Sequence, residues 1–122
     1  MNEGDVILTP LPQADGKIKN RPAIVLREMP PYRDILVCGI STQLHQLAPG
    51  FDELIQQDDD DFAASGIIRD SLIRLGYLSV LPRKSVLGSI GAISPERHKR
   101  LLQRLSSYLM EKCQNKGESS DE

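Results

Sequence analysis

The chain has 122 residues, of which 39% are apolar, and a formal net charge of −2 from 15 basic and 17 acidic residues. This length fits one domain with a substantial core, and the near-neutral charge excludes a protein that selects nucleic acid by bulk charge alone. No apolar run approaches the roughly 20 residues that a membrane-spanning helix needs. Because Asn2, Glu3, Gly4 and Asp5 follow the start, we expect no signal peptide and a cytoplasmic location.

The acidic residues are unevenly distributed along the chain. Six of the 17 lie in two short stretches, Asp52–Glu53 and Asp58–Asp61, and the remainder of the chain carries more bases than acids. This segregation allows a basic face beside an acidic lobe. We expect Asp58–Asp61 to form a solvated loop or helical turn rather than a metal site. An alternative hypothesis is that these aspartates mimic phosphate, dock over a basic groove and damp activity.

The N-terminal part of the chain predicts three strands. Residues 5–11 (DVILTPL), 21–28 (RPAIVLRE) and 34–42 (DILVCGIST) are rich in β-branched and aliphatic side chains. Residues 12–20 (PQADGKIKN) contain proline, Asp-Gly and two lysines, which predicts a mobile loop between the first two strands. Residues 29–34 (MPPYRD) predict a turn before the third strand.

The middle of the chain predicts further short elements. Residues 51–56 (FDELIQ) predict an edge-like strand, and residues 66–82 predict two short strands, around Arg69–Asp70 and Gly76. Residues 85–93 (SVLGSIGAI) contain two glycines and predict a short helical turn. The predicted elements therefore stay short and are separated by turn signals.

The C-terminal part carries a strong helix signal. Ser94 is a good N-cap, Pro95 suits the first helical position, and Glu96 complements the helix dipole. An apolar stripe at helical spacing follows: Leu101, Leu102, Leu105, Tyr108 and Leu109. The opposite face carries Arg97, Lys99, Arg100 and Arg104. We expect the helix to end near Cys113 and residues 114–122 to form a polar, disordered tail.

These elements define a fold class. Five to seven short antiparallel strands followed by one helix predict an α+β, mainly β domain over residues 1–113. The expected architecture is a small, strongly bent sheet or barrel with the helix packed on it.

The sequence lacks the common catalytic motifs, and polar clusters beside predicted strands take their place. There is no Gly-rich phosphate loop and no zinc-like Cys/His spacing, so we expect no metal and no cofactor. Of the two histidines, His45 lies in a loop where it can transfer protons, and we expect His98 near the helix surface. The clusters are Lys17, Lys19 and Arg21 before the second strand, Ser41, Thr42 and Gln43 at the end of the third, and Arg69, Asp70, Ser71 and Arg74 after the acidic stretch. Each cluster alone also fits an ordinary surface, with salt-bridged arginines and hydroxyls bonded to turns.

In combination, the order of these clusters resembles a known family. "GDVILTPLP", a loop with "DGK", "KNRPAIVL", "ILVCGISTQ" and the later "SVLPRKSVLGSIGAISPERHKRLL" are similar to MazF/PemK-type toxins over about residues 3–110. The resemblance implies an SH3-like barrel, a homodimer and a small antitoxin protein. It also implies a metal-independent endoribonuclease that cuts single-stranded mRNA by attack of the 2′-OH on the adjacent phosphate, leaving a 2′,3′-cyclic phosphate.

The resemblance also implies which residues act. The arginine of the family's Arg-Pro-Ala motif falls on Arg21, and the hydroxyl at the end of the third strand falls on Ser41, where the family usually has threonine, with Thr42 beside it. Arg69 takes the arginine position of an Arg-x-Asp pair, whose aspartate position falls on Ser71. The implied catalytic residues are Arg21, Ser41, Thr42 and Arg69, and the implied RNA-binding residues are Lys17, Lys19, Gln43, Asp70, Ser71 and Arg74. A guanidinium suits this chemistry because its fork of donors matches a charged phosphate.

Two other functions stay open from the sequence. One is a catalytically silent barrel that binds protein or RNA, which the departures at Ser41 and Ser71 favour. The other is poisoning of DNA gyrase, the activity of a relative in the same fold group. That activity would need an apolar, aromatic helix end, whereas this chain ends "CQNKGESSDE". With Tyr32 and Tyr77 as the stacking candidates, base recognition would rest mainly on hydrogen bonds.

Overall fold

The computed structural model describes the backbone of residues 1–119 and the side chains of residues 1–113. The strands are β1 (Asp5–Pro12), β2 (Ile18–Met29), β3 (Asp34–Ser41), β4 (Glu53–Ile55), β5 (Ser71–Leu81) and β6 (Gly88–Ala92), and the helices are α1 (Phe62–Ser65) and α2 (Pro95–Ser119). Short 3-10 turns span Leu44–Gln46 and Arg83–Ser85. No helix in this described part of the chain is long and apolar enough to cross a membrane.

The six described strands form one antiparallel sheet in the order β4-β5-β3-β2-β1-β6. β4 and β6 are the two edge strands of this sheet. Helix α1, which follows β4, packs against β6 at the opposite edge, so the sheet curls into a half-barrel. Gly66 (φ +77°) and Gly91 make this contact possible, because a Cβ on either would overlap a backbone carbonyl of the facing segment. The predicted mainly β fold, with five to seven antiparallel strands and a C-terminal helix, is confirmed.

Both faces of the sheet are covered, which explains the four consecutive apolar residues of "AIVL" in β2. Ile24 and Leu26 join the larger core, which packs under α2, whereas Ala23 and Val25 join a smaller core on the other face. Cys38 is fully buried in the larger core, as predicted, and this burial raises the pKa of its thiol to about 12.

The structure replaces the predicted mobile loop 12–20 with a hairpin. The β1–β2 ladder continues to the pair Pro12–Ile18, and the N–H of Gln13 donates to the carbonyl of Lys17 at 2.7 Å. The predicted bounds were wrong, because residues 18–20 already belong to β2. Cross-strand hydrogen bonds order these polar residues, and the sequence shows little apolar alternation there that would indicate a strand. Only a tight turn remains between the strands.

The predictions for residues 66–82 and 85–93 were also wrong in part. One strand, β5, continues through Gly76, and its register against β3 shifts between Cys38 and Gly39, which leaves the Gly76 region as a bulge. Residues Gly88–Ala92 form a strand paired with β1, and the helical turn precedes them. Glycines mark a bulge in one strand and a close backbone approach in the other, so they mimic strand breaks in the sequence.

Helix α2 begins where the sequence predicts. The hydroxyl of Ser94 accepts a hydrogen bond from the N–H of Arg97 at 3.1 Å, as an N-cap does. Leu101 and Leu105 are buried, but Tyr108 and Leu109 are exposed although they belong to the same predicted stripe. The helix continues beyond the predicted end at Cys113 to Ser119. The rest of the predicted tail, residues 120–122, and the side chains of 114–122 lie outside the described residues.

The acidic stretch Asp58–Asp61 is only in part the solvated loop that the sequence predicts. Arg97, expected on the solvent face of α2, is buried and binds Glu53 at 2.9 Å, Asp59 at 3.0 Å and Asp61 at 2.8 Å. Asp61 is buried with it, whereas Asp58 and Asp60 stay exposed. Asp59 and Asp61 therefore do not act as the phosphate mimics of the alternative hypothesis, because they bind a helix arginine and not a basic groove. The spacing of charges along the sequence cannot show an ion pair between segments of the chain that are so far apart in sequence.

Asp61 should make the stability of the protein sensitive to acid. Burial opposes ionisation, but hydrogen bonds from Arg97 and from the N–H of Ser94 hold the pKa of Asp61 below its ordinary value. Such a carboxylate stabilises the fold at any pH above its unfolded pKa of about 4, and this contribution is lost as the pH falls through the folded value. We expect the free energy of unfolding in urea to show this loss below about pH 4. Asp61→Asn should show a shallower acid dependence, and parallel curves for the two proteins would contradict the assignment.

Candidate active site

Two neighbouring clefts open where β2 begins and β3 ends. The larger, of about 510 Å³, lies against the β1–β2 hairpin, and we call it the hairpin cleft. The smaller, of about 320 Å³, is walled by Ile40, Ile67, Ile68 and Ile90, and we call it the isoleucine cleft. Arg21, Ile40 and Ser41 line both, and we call the polar pair of Arg21 and Ser41 the ridge between the clefts. The structure thus brings together two of the four residues that the resemblance implies for catalysis.

Arg21 is held near the start of β2 by its neighbours. The residue pairs with Thr9 of β1 in the ladder, and the following Pro22 restricts Arg21 to an extended backbone. Its side chain is exposed, and its Nε donates a hydrogen bond to Oε1 of Gln13 at 3.0 Å. Because that bond occupies one donor, the terminal nitrogens of the guanidinium remain available to a ligand.

Ser41 is the last residue of β3, and its hydroxyl oxygen accepts the N–H of Gln43 at 3.0 Å. This bond fixes the oxygen through a local turn and leaves the hydroxyl proton free to donate to a ligand. The adjacent Thr42 is exposed and lines the isoleucine cleft, whereas Gln43 lines the hairpin cleft. The end of β3 therefore supplies polar groups to both sides of the ridge.

Within the stretch Arg69–Ser71, two residues line the isoleucine cleft and the third is turned away by a hydrogen bond. Arg69 is exposed and lines the isoleucine cleft. Ser71 lines it too, but its hydroxyl donates to the carbonyl of Arg69 at 2.8 Å and its side chain is buried. Asp70 lines neither cleft, because its carboxylate accepts the N–H of Gln57 at 3.0 Å. No Arg69–carboxylate pair therefore faces either cleft in the described structure.

Of the remaining residues predicted to bind RNA, one lines a cleft and the others do not. Arg74 lines the hairpin cleft. Lys17 and Lys19 are exposed on the hairpin and line neither cleft, although Lys19 lies two positions before Arg21 on β2 and so projects from the same face. His45 and Tyr32 also lie outside both clefts.

Some residues that line the clefts were not predicted from the sequence. Gln13 and Gln46 line the hairpin cleft, and the wall of the isoleucine cleft includes Ile68, a residue that is 83% exposed. The signal for Gln13 was its place between two strands close in sequence, because a short hairpin connection brings its ends together. Nothing in the sequence distinguishes Ile68 from an ordinary core isoleucine.

The ionisable groups of the clefts favour an anionic ligand. Among the residues that line them, the charged side chains are Arg21, Arg69 and Arg74, with no aspartate, glutamate or histidine. In addition, the described residues contain no group of three His, Cys, Asp or Glu side chains placed to hold a metal ion. The site is built to bind negative charge through guanidinium and hydroxyl donors.

The fold and the site define a small half-barrel protein with an arginine–serine ridge between two clefts. Residues 2–109 match the family of PemK-like, MazF-like toxins of type II toxin-antitoxin systems. The chain therefore belongs to this family, whose members are generally endoribonucleases acting on RNA and bound by an antitoxin. The resemblance seen in the sequence is confirmed.

Solved structures agree with the fold. The Mycobacterium tuberculosis toxin MazF-mt6 is similar to this chain with a TM-score of 0.62 and 19% sequence identity, over 84% of this chain and 93% of that one. At this identity, the likeness shows the shared fold alone. No curated protein matches the chain.

Proposed function

We propose that this protein is a sequence-specific endoribonuclease toxin that cuts single-stranded mRNA without a metal ion. The observation that carries the proposal is the ridge: Arg21 and Ser41 lie together between two clefts, at the positions that the family resemblance implies for catalysis. A phosphodiester on this ridge would have one neighbouring nucleotide over each cleft.

The proposed reaction is an internal transfer at phosphorus. The ribose 2′-oxygen forms a bond to the adjacent phosphorus and loses its proton, and the bond from phosphorus to the 5′-oxygen breaks as that oxygen gains a proton. The products are a 2′,3′-cyclic phosphate and a 5′-OH end. Charge accumulates on the phosphoryl oxygens in the transition state, where a preorganised guanidinium is most effective.

Each residue has a proposed role in this step. Arg21 stabilises the transition-state charge, and the hydroxyls of Ser41 and Thr42 position the phosphoryl oxygens. Arg69 and Arg74 lie in different clefts and bind phosphates on either side of the scissile one. Lys17 and Lys19 extend the basic path along the hairpin, so RNA binding should weaken as salt rises.

The protein's proposed partners follow from its family. They are single-stranded mRNA as substrate, a small antitoxin as inhibitor, and a second copy of the chain in a homodimer. The proposed compartment is the cytoplasm, where mRNA and antitoxin are both present.

A cleavage assay in EDTA tests the proposal. Wild-type protein and Arg21→Ala protein are incubated with a long mRNA in excess EDTA, and the new ends are mapped for 5′-OH groups and cyclic phosphates. We expect wild type to cut the RNA at defined sites and the variant to leave these sites intact. Circular dichroism should show that the two proteins are equally folded. Intact RNA with both proteins, or cuts that appear only after metal is added, would contradict it.

A catalytically silent barrel that binds protein or RNA is the second candidate. It is favoured by Ser41, where the family usually has threonine, and by Ser71, which stands in the aspartate position and is bonded to backbone. This function expects RNA binding with no cleavage, and no change in RNA integrity in cells for Arg21→Ala. The same EDTA assay, read beside a filter-binding measurement, separates the two functions.

Gln13 should be needed to position Arg21. Replacing Gln13 with leucine removes the acceptor for the guanidinium Nε, and a hydrogen bond to a charged group contributes about 1.5–3 kcal/mol at most. Because this bond is exposed, we expect a loss of roughly tenfold in cleavage rate. Gln13→Glu keeps an acceptor and should retain more activity than Gln13→Leu. Equal rates for all three proteins would show that Gln13 does not orient Arg21.

A further inference from the structure

The hairpin cleft has a composition that phosphate binding alone does not explain. Besides Arg21 and Arg74, it presents the aromatic ring of Tyr77 and the amides of Gln13, Gln43 and Gln46. An aromatic ring and amide groups are the side chains with which proteins stack unpaired bases and read their hydrogen-bonding edges. We propose that this cleft is a nucleobase subsite in which Tyr77 is the stacking platform. The inference rests on the proposed function, since it assigns a base to the nucleotide beside the scissile phosphate.

The ring of Tyr77 is held in place from two sides. Its hydroxyl donates to the carbonyl of Pro12 at the end of β1. Its Cδ2 lies so close to Gly39 that a Cβ added there would be 2.6 Å away, so the ring occupies the space that the missing side chain leaves. A ring fixed in this way loses little conformational entropy when a base stacks on it.

Arg74 extends the same platform. Its guanidinium carbon lies over the Tyr77 ring, 5.8 Å from the centroid. A planar guanidinium stacks on bases as aromatic rings do. Tyr77 and Arg74 together thus form a layered pair, a ring with a guanidinium over it, and this π surface with its positive charge suits a base that carries a phosphate.

The glutamines of the hairpin cleft can distinguish one base from another. Gln43 follows the ridge residue Ser41 by two positions, and Gln46 lies at the end of the next 3-10 turn. Each amide carries both a donor and an acceptor, so the pair can bond the Watson–Crick edge of a base stacked on Tyr77. A base in this cleft is adjacent to a phosphate on the ridge, which would make its identity part of the cleavage motif.

Binding measurements with RNA that cannot be cut isolate this subsite. The probe is a 2′-O-methyl RNA of mixed sequence, and the measurement is its Kd for wild type, Tyr77→Leu, Tyr77→Phe and the matched control Tyr32→Leu. Tyr32 is 82% exposed in the β2–β3 turn and lines neither cleft. A stacked base contributes about 1–3 kcal/mol. We therefore expect roughly tenfold weaker binding for Tyr77→Leu. Tyr77→Phe keeps the ring but loses its hydrogen bond to Pro12, so we expect a smaller loss, and Tyr32→Leu should bind like wild type.

A fluorescence arm covers the case in which Tyr77→Leu misfolds. The chain has no tryptophan and three tyrosines, so a protein with Tyr32→Phe and Tyr108→Phe reports on Tyr77 alone. Its emission should be quenched by the 2′-O-methyl RNA and not by an abasic RNA that keeps the sugar and phosphate. Equal quenching by both RNAs, or none by either, would overturn the subsite.

Cleavage separates failure of the subsite from failure of the proposed function. If wild type cuts RNA but Tyr77→Leu binds equally well and cuts at the same sites, the subsite is wrong and the endoribonuclease stands. A changed distribution of cut sites for Gln43→Ala or Gln46→Ala supports the subsite. If wild type neither binds nor cuts RNA, the proposed function fails and the subsite fails with it.

Discussion

Replacing Arg21 with alanine should lower the rate of RNA cleavage roughly 100- to 1,000-fold without unfolding the protein. The reason is electrostatic, because Arg21 is the charged group on the ridge that both clefts share. Its side chain is exposed, so the core of the sheet does not depend on it. The measurement is single-turnover cleavage of a defined RNA in EDTA, with thermal unfolding followed in parallel.

The matched control is Arg27→Ala on the same strand. Arg27 is exposed, binds Glu3 at 2.6 Å and lines neither cleft, so its loss should leave cleavage unchanged. Arg21→Lys keeps the charge but loses the fork of donors, and we expect a rate between those of wild type and Arg21→Ala. If Arg21→Ala and Arg27→Ala cleave RNA equally fast, Arg21 is not the group that stabilises the transition state.

Replacing Arg97 with methionine should destabilise the fold by about 3–5 kcal/mol, because it leaves buried carboxylates without their partner. Arg97 binds Glu53, Asp59 and Asp61 and also donates to the carbonyl of Leu54 at 3.0 Å. Burial disfavours its charge, but the carboxylates, Asp61 first, raise the pKa of Arg97 above its ordinary value, so the guanidinium stays ionised. The measurement is the free energy of unfolding in urea at neutral pH.

Two neighbouring residues on α2 are controls for this prediction. Lys99→Ala changes an exposed residue and should alter stability little. Arg100 binds Glu53 at 2.6 Å but is 46% exposed, so its loss should cost less than about 1 kcal/mol. A loss of stability in Arg97→Met no larger than in Arg100→Ala would show that the buried ion pairs do not anchor the segment.

The buried ion pairs of Arg97 connect the stability of the fold with the shape of the candidate site. Asp59 and Asp61 lead directly into α1 (Phe62–Ser65), and the chain then passes Gly66 to reach Ile67 and Ile68 in the wall of the isoleucine cleft. Because Gly66 packs against the carbonyl of Ile90, the wall is held between the ion pairs and β6. A protein that loses Arg97 should therefore also change the shape of this cleft.

The departures from the family pattern have a structural consequence. Ser71 stands where the resemblance expects an aspartate, and its hydroxyl is used by the backbone of Arg69. The carboxylate of Asp70 accepts the N–H of Gln57, directly before Asp58–Asp61, instead of facing a cleft. The one-residue offset directs the carboxylate away from the site, since alternate residues of an extended segment point to opposite sides. The ridge therefore depends on Arg21 and Ser41 more than on an arginine–carboxylate pair.

Elements whose signals are local can be predicted from the sequence alone. The apolar runs of β1, β2 and β3, the N-cap at Ser94 and the buried leucines of α2 follow from periodicity and capping, which act over a few neighbouring residues. The resemblance to the family was also visible in the sequence, because its motifs, from GDVILTPLP and KNRPAIVL to ILVCGISTQ, follow one another in a specific order.

The contacts of the polar residues, in contrast, follow from the packing of segments that are distant in sequence. Arg97 and Asp61 are far apart in sequence yet form a buried pair, so a charge run that looks solvated becomes an internal anchor. Tyr77 reaches the site through a bulge in β5 and a gap at Gly39. Gln13 reaches Arg21 because the hairpin closes beside it. Such contacts depend on the register of distant strands, and no pattern along one stretch of the chain encodes that register.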